Sequence, residues 1–175
     1  MRAIRMNEQH QEQNYPNKAQ QLATFYQNYI HAFSAASVPA VAKCYQLPCV
    51  LSTPDKVLVL DSEQGFNQEF SGIFAMLAEH NITGFKASNA SYQHINETLS
   101  LVKIDWRFYD QANNLFSEFS AIYHLSYQQE AYRIINVISH DMCQLADLAH
   151  ELTLIPSAND TNNSANDINN KETDK

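Results

Sequence analysis

A chain of 175 residues, 45% of them apolar, is long enough for one domain with a buried core. Its formal charge of −8 is spread along the chain and its 11 basic residues form no cluster, which argues against nucleic acid and anionic membrane as partners. No stretch approaches the roughly 18 apolar residues of a membrane span, and the N-terminal MRAIRMNEQHQEQNYPNK has no apolar run of the signal-peptide kind, so a cytoplasmic protein is expected. Cys44, Cys49 and Cys143 are then reduced thiols, since an odd count does not build a disulfide framework.

Residues 1–17 are polar, Gln-rich and aperiodic, and read as a disordered lead-in. From Lys18 the spacing of Leu22, Phe25, Tyr26, Tyr29 and Phe33 predicts a helix with one apolar stripe. Pro39, with Val38, Val41 and Tyr45, suggests a short second helix. Leu47–Thr53 and Val57–Leu60 are short strand candidates on either side of the turn Thr53-Pro54-Asp55-Lys56. Asp61 with Gln64 reads as a capping box opening a third helix, whose apolar face is Phe66, Phe70, Ile73, Phe74 and Leu77.

Beyond Gly84 the period changes from helical to two. Gly84–Ile95 is a mostly polar strand. Across Thr98–Asp110, Val102, Ile104, Trp106 and Phe108 alternate with Lys103, Asp105 and Arg107. Leu115–Tyr127 places Phe119, Ala121, Tyr123 and Leu125 inward and Glu118, Ser120 and His124 outward; Ala131–Ser139 is the last strand. A C-terminal amphipathic helix is predicted over 141–155, from Met142, Leu145, Leu148, Ala149 and Leu152, and 156–175 reads as a disordered tail. The expected fold class is therefore α+β, with a meander of antiparallel strands.

This order of elements over Lys18–His140 resembles the nuclear transport factor 2-like superfamily, which includes ketosteroid isomerases and SnoaL-like cyclases. The phrases Phe25-Tyr26-Gln27-Asn28-Tyr29, Cys44-Tyr45-Gln46-Leu47-Pro48, Val102-Lys103-Ile104-Asp105-Trp106 and Ala131-Tyr132-Arg133-Ile134 carry the likeness. It implies a strongly curved antiparallel sheet wrapped around the helices to form a cone with an apolar internal pocket. It also allows a position-by-position test of isomerase chemistry, which needs a carboxylate base and hydrogen-bond donors for the enolate. The helix-one tyrosine matches Tyr29. The base falls at Thr53, which cannot serve, and the protonated acid falls at Tyr123.

Tyr29, Thr53, Trp106 and Tyr123 are accordingly the candidate ligand pocket, for a small apolar molecule such as a steroid or fatty acid. No cofactor is expected, because Gly65, Gly72 and Gly84 form no phosphate-binding loop. No metal is expected either: His140, Cys143 and His150 match no zinc spacing. Tyr92, Tyr109, Ile122 and Tyr132 are expected on the outer sheet face beside Lys103, Asp105, Arg107 and His124, a mixture that suits a homodimer contact. Two other readings stay open: a SnoaL-like enzyme with an interior His or Asp, and an interaction module whose cone is packed shut.

Overall fold

The computed structural model describes residues 15–142 and 147–154. Helix α1 (Tyr15–Ser34) leads into α2 (Val38–Ala42), strands β1 (Tyr45–Ser52) and β2 (Val57–Leu60), and helix α3 (Glu63–Glu79). Four long strands follow, β3 (Ile82–His94), β4 (Leu99–Asp110), β5 (Leu115–Gln128) and β6 (Ala131–Asp141), then a two-residue β7 (His150–Glu151).

Helix α1 starts three residues before the predicted Lys18, so 15–17 are helix and not lead-in. Pro16 sits in the first turn, where a missing N–H has no intrahelical acceptor to lose. The helix ends in a Schellman motif: the Ser37 N–H donates to Ala32 O and the Ala36 N–H to Phe33 O. Ala36 takes the left-handed conformation (φ 48°) that this closure requires. The Ser37 side chain then accepts from Ala40 N and caps α2. The cap of α3 is Ser62, whose Oγ accepts from Gly65 N, and not the predicted Asp61. Tyr45, read from sequence as part of α2, is the first residue of β1. The remaining residues of 1–17, and the whole tail 156–175, lie outside the described residues.

The seven strands form one sheet in the order β2-β1-β6-β5-β4-β3-β7. It is mixed and not wholly antiparallel: β1 runs parallel to β6, with α3 and four strands intervening before the chain returns beside β1. Register shifts interrupt the ladders at Ala87/Asn89, Phe108/Tyr109 and His124/Leu125. Such bulges bend strands and raise their twist, which curves the sheet around the helices. Between the shifts the alternation follows the expected faces. Val102 pairs with Tyr123, Ile104 with Ala121 and Trp106 with Phe119, all toward α1 and α3. Lys103, Asp105 and Arg107 point to the outer face.

The predicted helix over 141–155 is not what the described residues form. Strand β6 continues to Asp141, residues 143–146 lie outside the described set, and 147–154 are non-helical, with 150–151 paired to β3. Ser91 pairs with Glu151 and Tyr92 with His150, and Leu152 N–H donates to Ala90 O at 2.8 Å. The open edge of β3 offered unpaired backbone groups, and pairing there lets Leu152 reach the core at 4% exposure. Asp147 meanwhile lies 2.9 Å from the ammonium of Lys103. Burial would lower the Lys103 pKa, but the hydrogen bond to Asp147 and the charge of Asp105 outweigh it and hold it above the usual lysine value.

Candidate functional site

The concave side of the sheet, α1 and α3 enclose a cavity of about 460 Å³ that opens at one end of the fold. Its walls are overwhelmingly apolar. Phe33 of α1, Phe70, Ile73 and Leu77 of α3, and Phe85, Phe108 and Phe119 of the sheet supply most of them. The 3.6 and 2.0 periods of these segments put those side chains there: each is the inward member of its helix or strand. All four candidate pocket residues, Tyr29, Thr53, Trp106 and Tyr123, line this one cavity.

At its inner end the polar atoms form a close array. Trp106 Nε1 donates to the Tyr123 hydroxyl at 2.9 Å. The Tyr29 hydroxyl bonds to Tyr45 at 3.3 Å, and its ring packs against Tyr123 with centroids 6.1 Å apart. Burial pushes Tyr29, Tyr45 and Tyr123 well above the ordinary phenol pKa, so all three keep their protons. The indole N–H can only donate, and its proton occupies one lone pair of Tyr123. The three hydroxyls share one bond among themselves, which leaves at least one O–H directed at no side-chain acceptor among the described residues. Buried donors are rarely left so.

Thr53 sits at the mouth, and its hydroxyl is engaged with the backbone of Lys56 in the β1–β2 turn, accepting from the N–H at 3.3 Å. It provides no base. The mouth also contains Lys56 and Glu69, paired at 2.9 Å, and Asp141, which the register with Phe119 places on the concave face. Phe116 and Met76 line the same opening and are 45% and 42% exposed.

Sequence reasoning missed Tyr45, Glu69 and Asp141. Tyr45 falls in the spacing that predicts the short second helix, and Asp141 at the start of the predicted C-terminal one. The Val137-Ser139-Asp141 alternation was the signal that β6 runs two residues further and carries a carboxylate to the mouth.

The proposed outer-face set divides. Tyr92 pairs with Val102 and is 6% exposed, and Tyr132 shares the face of the fully buried Ile134 at 5%. Both belong to the core, because β3 and β6 enter the sheet in the opposite phase from the one assumed for these weakly alternating segments. Only Tyr109 and Ile122 remain on the outer face, both half-buried. Among the described residues no group of three or more metal-ligating side chains assembles, and Cys143 of the His140/Cys143/His150 set lies outside them.

A family model described as "NTF2-like protein (DUF6841)" matches residues 19–142. The chain belongs to this NTF2-like family. Solved structures agree on the fold. An NTF2-like protein of unknown function from Pseudomonas putida aligns with TM-score 0.59 at 14% identity, over 81% of this chain and 98% of that one. An NTF-2 like protein of unknown function from Shewanella oneidensis gives 0.57 at 11%, over 72% and 99%. A ketosteroid isomerase-like protein from Erwinia carotovora atroseptica gives 0.54 at 12%, over 69% and 93%. At such identities the likeness concerns the NTF2-like fold alone. No curated protein matches the sequence. Among the described residues no helix is long and apolar enough to cross a membrane.

Proposed function

We propose that this NTF2-like protein binds a small, largely apolar molecule in its cone, with one hydrogen-bond acceptor facing the phenol array. The observation that carries this reading is the open, apolar cavity of about 460 Å³ ending in the array's leftover O–H. That volume lies within the range of roughly 300–1,000 Å³ typical of small-molecule sites, and an apolar wall with few polar groups is their usual composition. A cone closed by its own aromatics, the interaction-module alternative, would have left no such space. The SnoaL-like enzyme alternative needs an acid–base group at the reacting atom; the carboxylates here are at the mouth, and the inner end offers only phenols and an indole.

Trp106 is the sole tryptophan and lines the cavity, so its fluorescence reports occupancy directly. Titration with a steroid ketone should quench or shift that emission, and Ser139→Phe, which fills the cavity from β6, should abolish the response. Emission indifferent to apolar ketones, or unaltered titration in Ser139→Phe, removes the reading.

A second reading concerns assembly. Ile122 of β5 faces Ile138 of β6 on the outer side, and beside them His124 Nε2 and Asn136 Oδ1 are buried without a partner among the described residues. A second copy seated on the β5–β6 half of that face would cover the two isoleucines, each only half-buried in the single chain. Ile122→Glu should then yield monomers in sedimentation, since it would bury an unpaired carboxylate. A natural protein that sediments as a monomer refutes it.

A further inference from the structure

The cavity's charges are confined to its mouth, and their balance selects among apolar molecules. Lys56 is the only Lys or Arg among the lining residues, and Glu69 already occupies its ammonium at 2.9 Å. Asp141, exposed on the concave side of β6, adds a carboxylate beside which the lining has no further lysine or arginine, its one basic neighbour there being the imidazole of His140. An entering anion therefore meets one neutralised pair and one free negative charge.

The inner end makes matters worse for an anion. It holds neutral phenols and an indole, with only neutral O–H groups free to donate. A carboxylate drawn from water into such walls loses its hydration and gains no counter-charge, a cost far above that of burying a neutral carbonyl. Neutral oxygen acceptors suffer neither penalty, because one donor satisfies a ketone, aldehyde or ester.

From this, and resting on the ligand-binding reading above, we infer that Glu69 and Asp141 make the mouth a charge filter. The site takes an uncharged apolar molecule with one acceptor oxygen and refuses carboxylates such as fatty acids. The sequence-based expectation of steroid or fatty acid thereby narrows to the first kind.

The test uses a matched pair, 2-decanone and decanoate, titrated calorimetrically at pH 8 into the full chain. The ketone should bind at least tenfold more tightly. In Glu69→Gln/Asp141→Asn, which frees Lys56 and removes both carboxylates, the preference should fall at least fivefold. Both positions are at the mouth and not in the core, and circular dichroism checks that the variant is folded. Equal or tighter binding of decanoate to the natural protein overturns the filter while leaving ligand binding intact. An unchanged ratio in the variant takes selection away from the mouth and also overturns it. If neither molecule binds, and steroid ketones leave Trp106 unmoved, the ligand-binding reading falls and the filter with it.

Discussion

Tyr123→Phe should destabilise the protein through an atom it does not remove. Trp106 and Tyr123 are 4% and 3% exposed, so with the hydroxyl lost Trp106 Nε1 becomes a largely buried donor without a protein acceptor. That costs about 1–3 kcal/mol, against a fraction of a kcal/mol for the hydroxyl's own packing. In a domain of 150–250 residues it corresponds to roughly 2–4 °C of Tm per kcal/mol. Trp106→Phe should also destabilise, by lost contact area and a lost bond. The double variant, however, leaves no orphaned N–H, so its cost should fall short of the sum by about 0.5–1.5 kcal/mol. Urea titrations followed by circular dichroism measure all four proteins without relying on the tryptophan that two of them lack. Additivity within about 0.3 kcal/mol would refute the indole–phenol bond, and with it the proton count that leaves an O–H for a ligand.

Three further outcomes are expected. Ala36→Gly should stabilise by roughly 0.5–1 kcal/mol, read from the urea midpoint, because Ala36 closes α1 at φ 48°, where a Cβ is strained. Leu152→Ala should cost about 2–4 kcal/mol if the C-terminal segment is docked as described, since Leu152 is 4% exposed; a thermal melt equal to the natural protein's would show that it is not docked. Alkaline titration should be steep. Burial raises the phenols of Tyr26, Tyr29, Tyr45 and Tyr123 in the native state, whereas unfolded tyrosines ionise near pH 10. The native state therefore holds more protons above about pH 10, and stability, fully present below that, is lost as pH rises, by up to about 1.4 kcal/mol per pH unit for each phenol. Phenolate absorbance at 295 nm should show these four silent until the protein unfolds.

Much of the architecture was legible in the periods of the chain. A three-and-four spacing through Leu22, Tyr26 and Tyr29 can bury only one stripe of a helix. Strict alternation through Val102, Ile104, Trp106 and Phe108 fixes one face of a strand, since a slip of one residue would expose all four. Those two local rules oriented Tyr29, Trp106 and Tyr123 toward a common interior and brought three tyrosine and tryptophan side chains to one cavity.

What local pattern left open was decided by pairing across the fold. Tyr92 and Tyr132 lie on strands whose polar residues blur the alternation, and their neighbours Val102 and Ile134 turned them inward. The segment after Asp141 has helical spacing in Leu145, Leu148 and Leu152, yet the vacant edge of β3 gave residues 150–151 a ladder to join. Tyr45, Glu69 and Asp141 acquire meaning only where β1, α3 and β6 converge on the mouth and floor of the cavity. Periodicity is a property of neighbouring residues and is written in the sequence. Which O–H remains without an acceptor, and which carboxylate without a cation, depends on atoms brought together from distant parts of the chain, and the tertiary structure alone decides it.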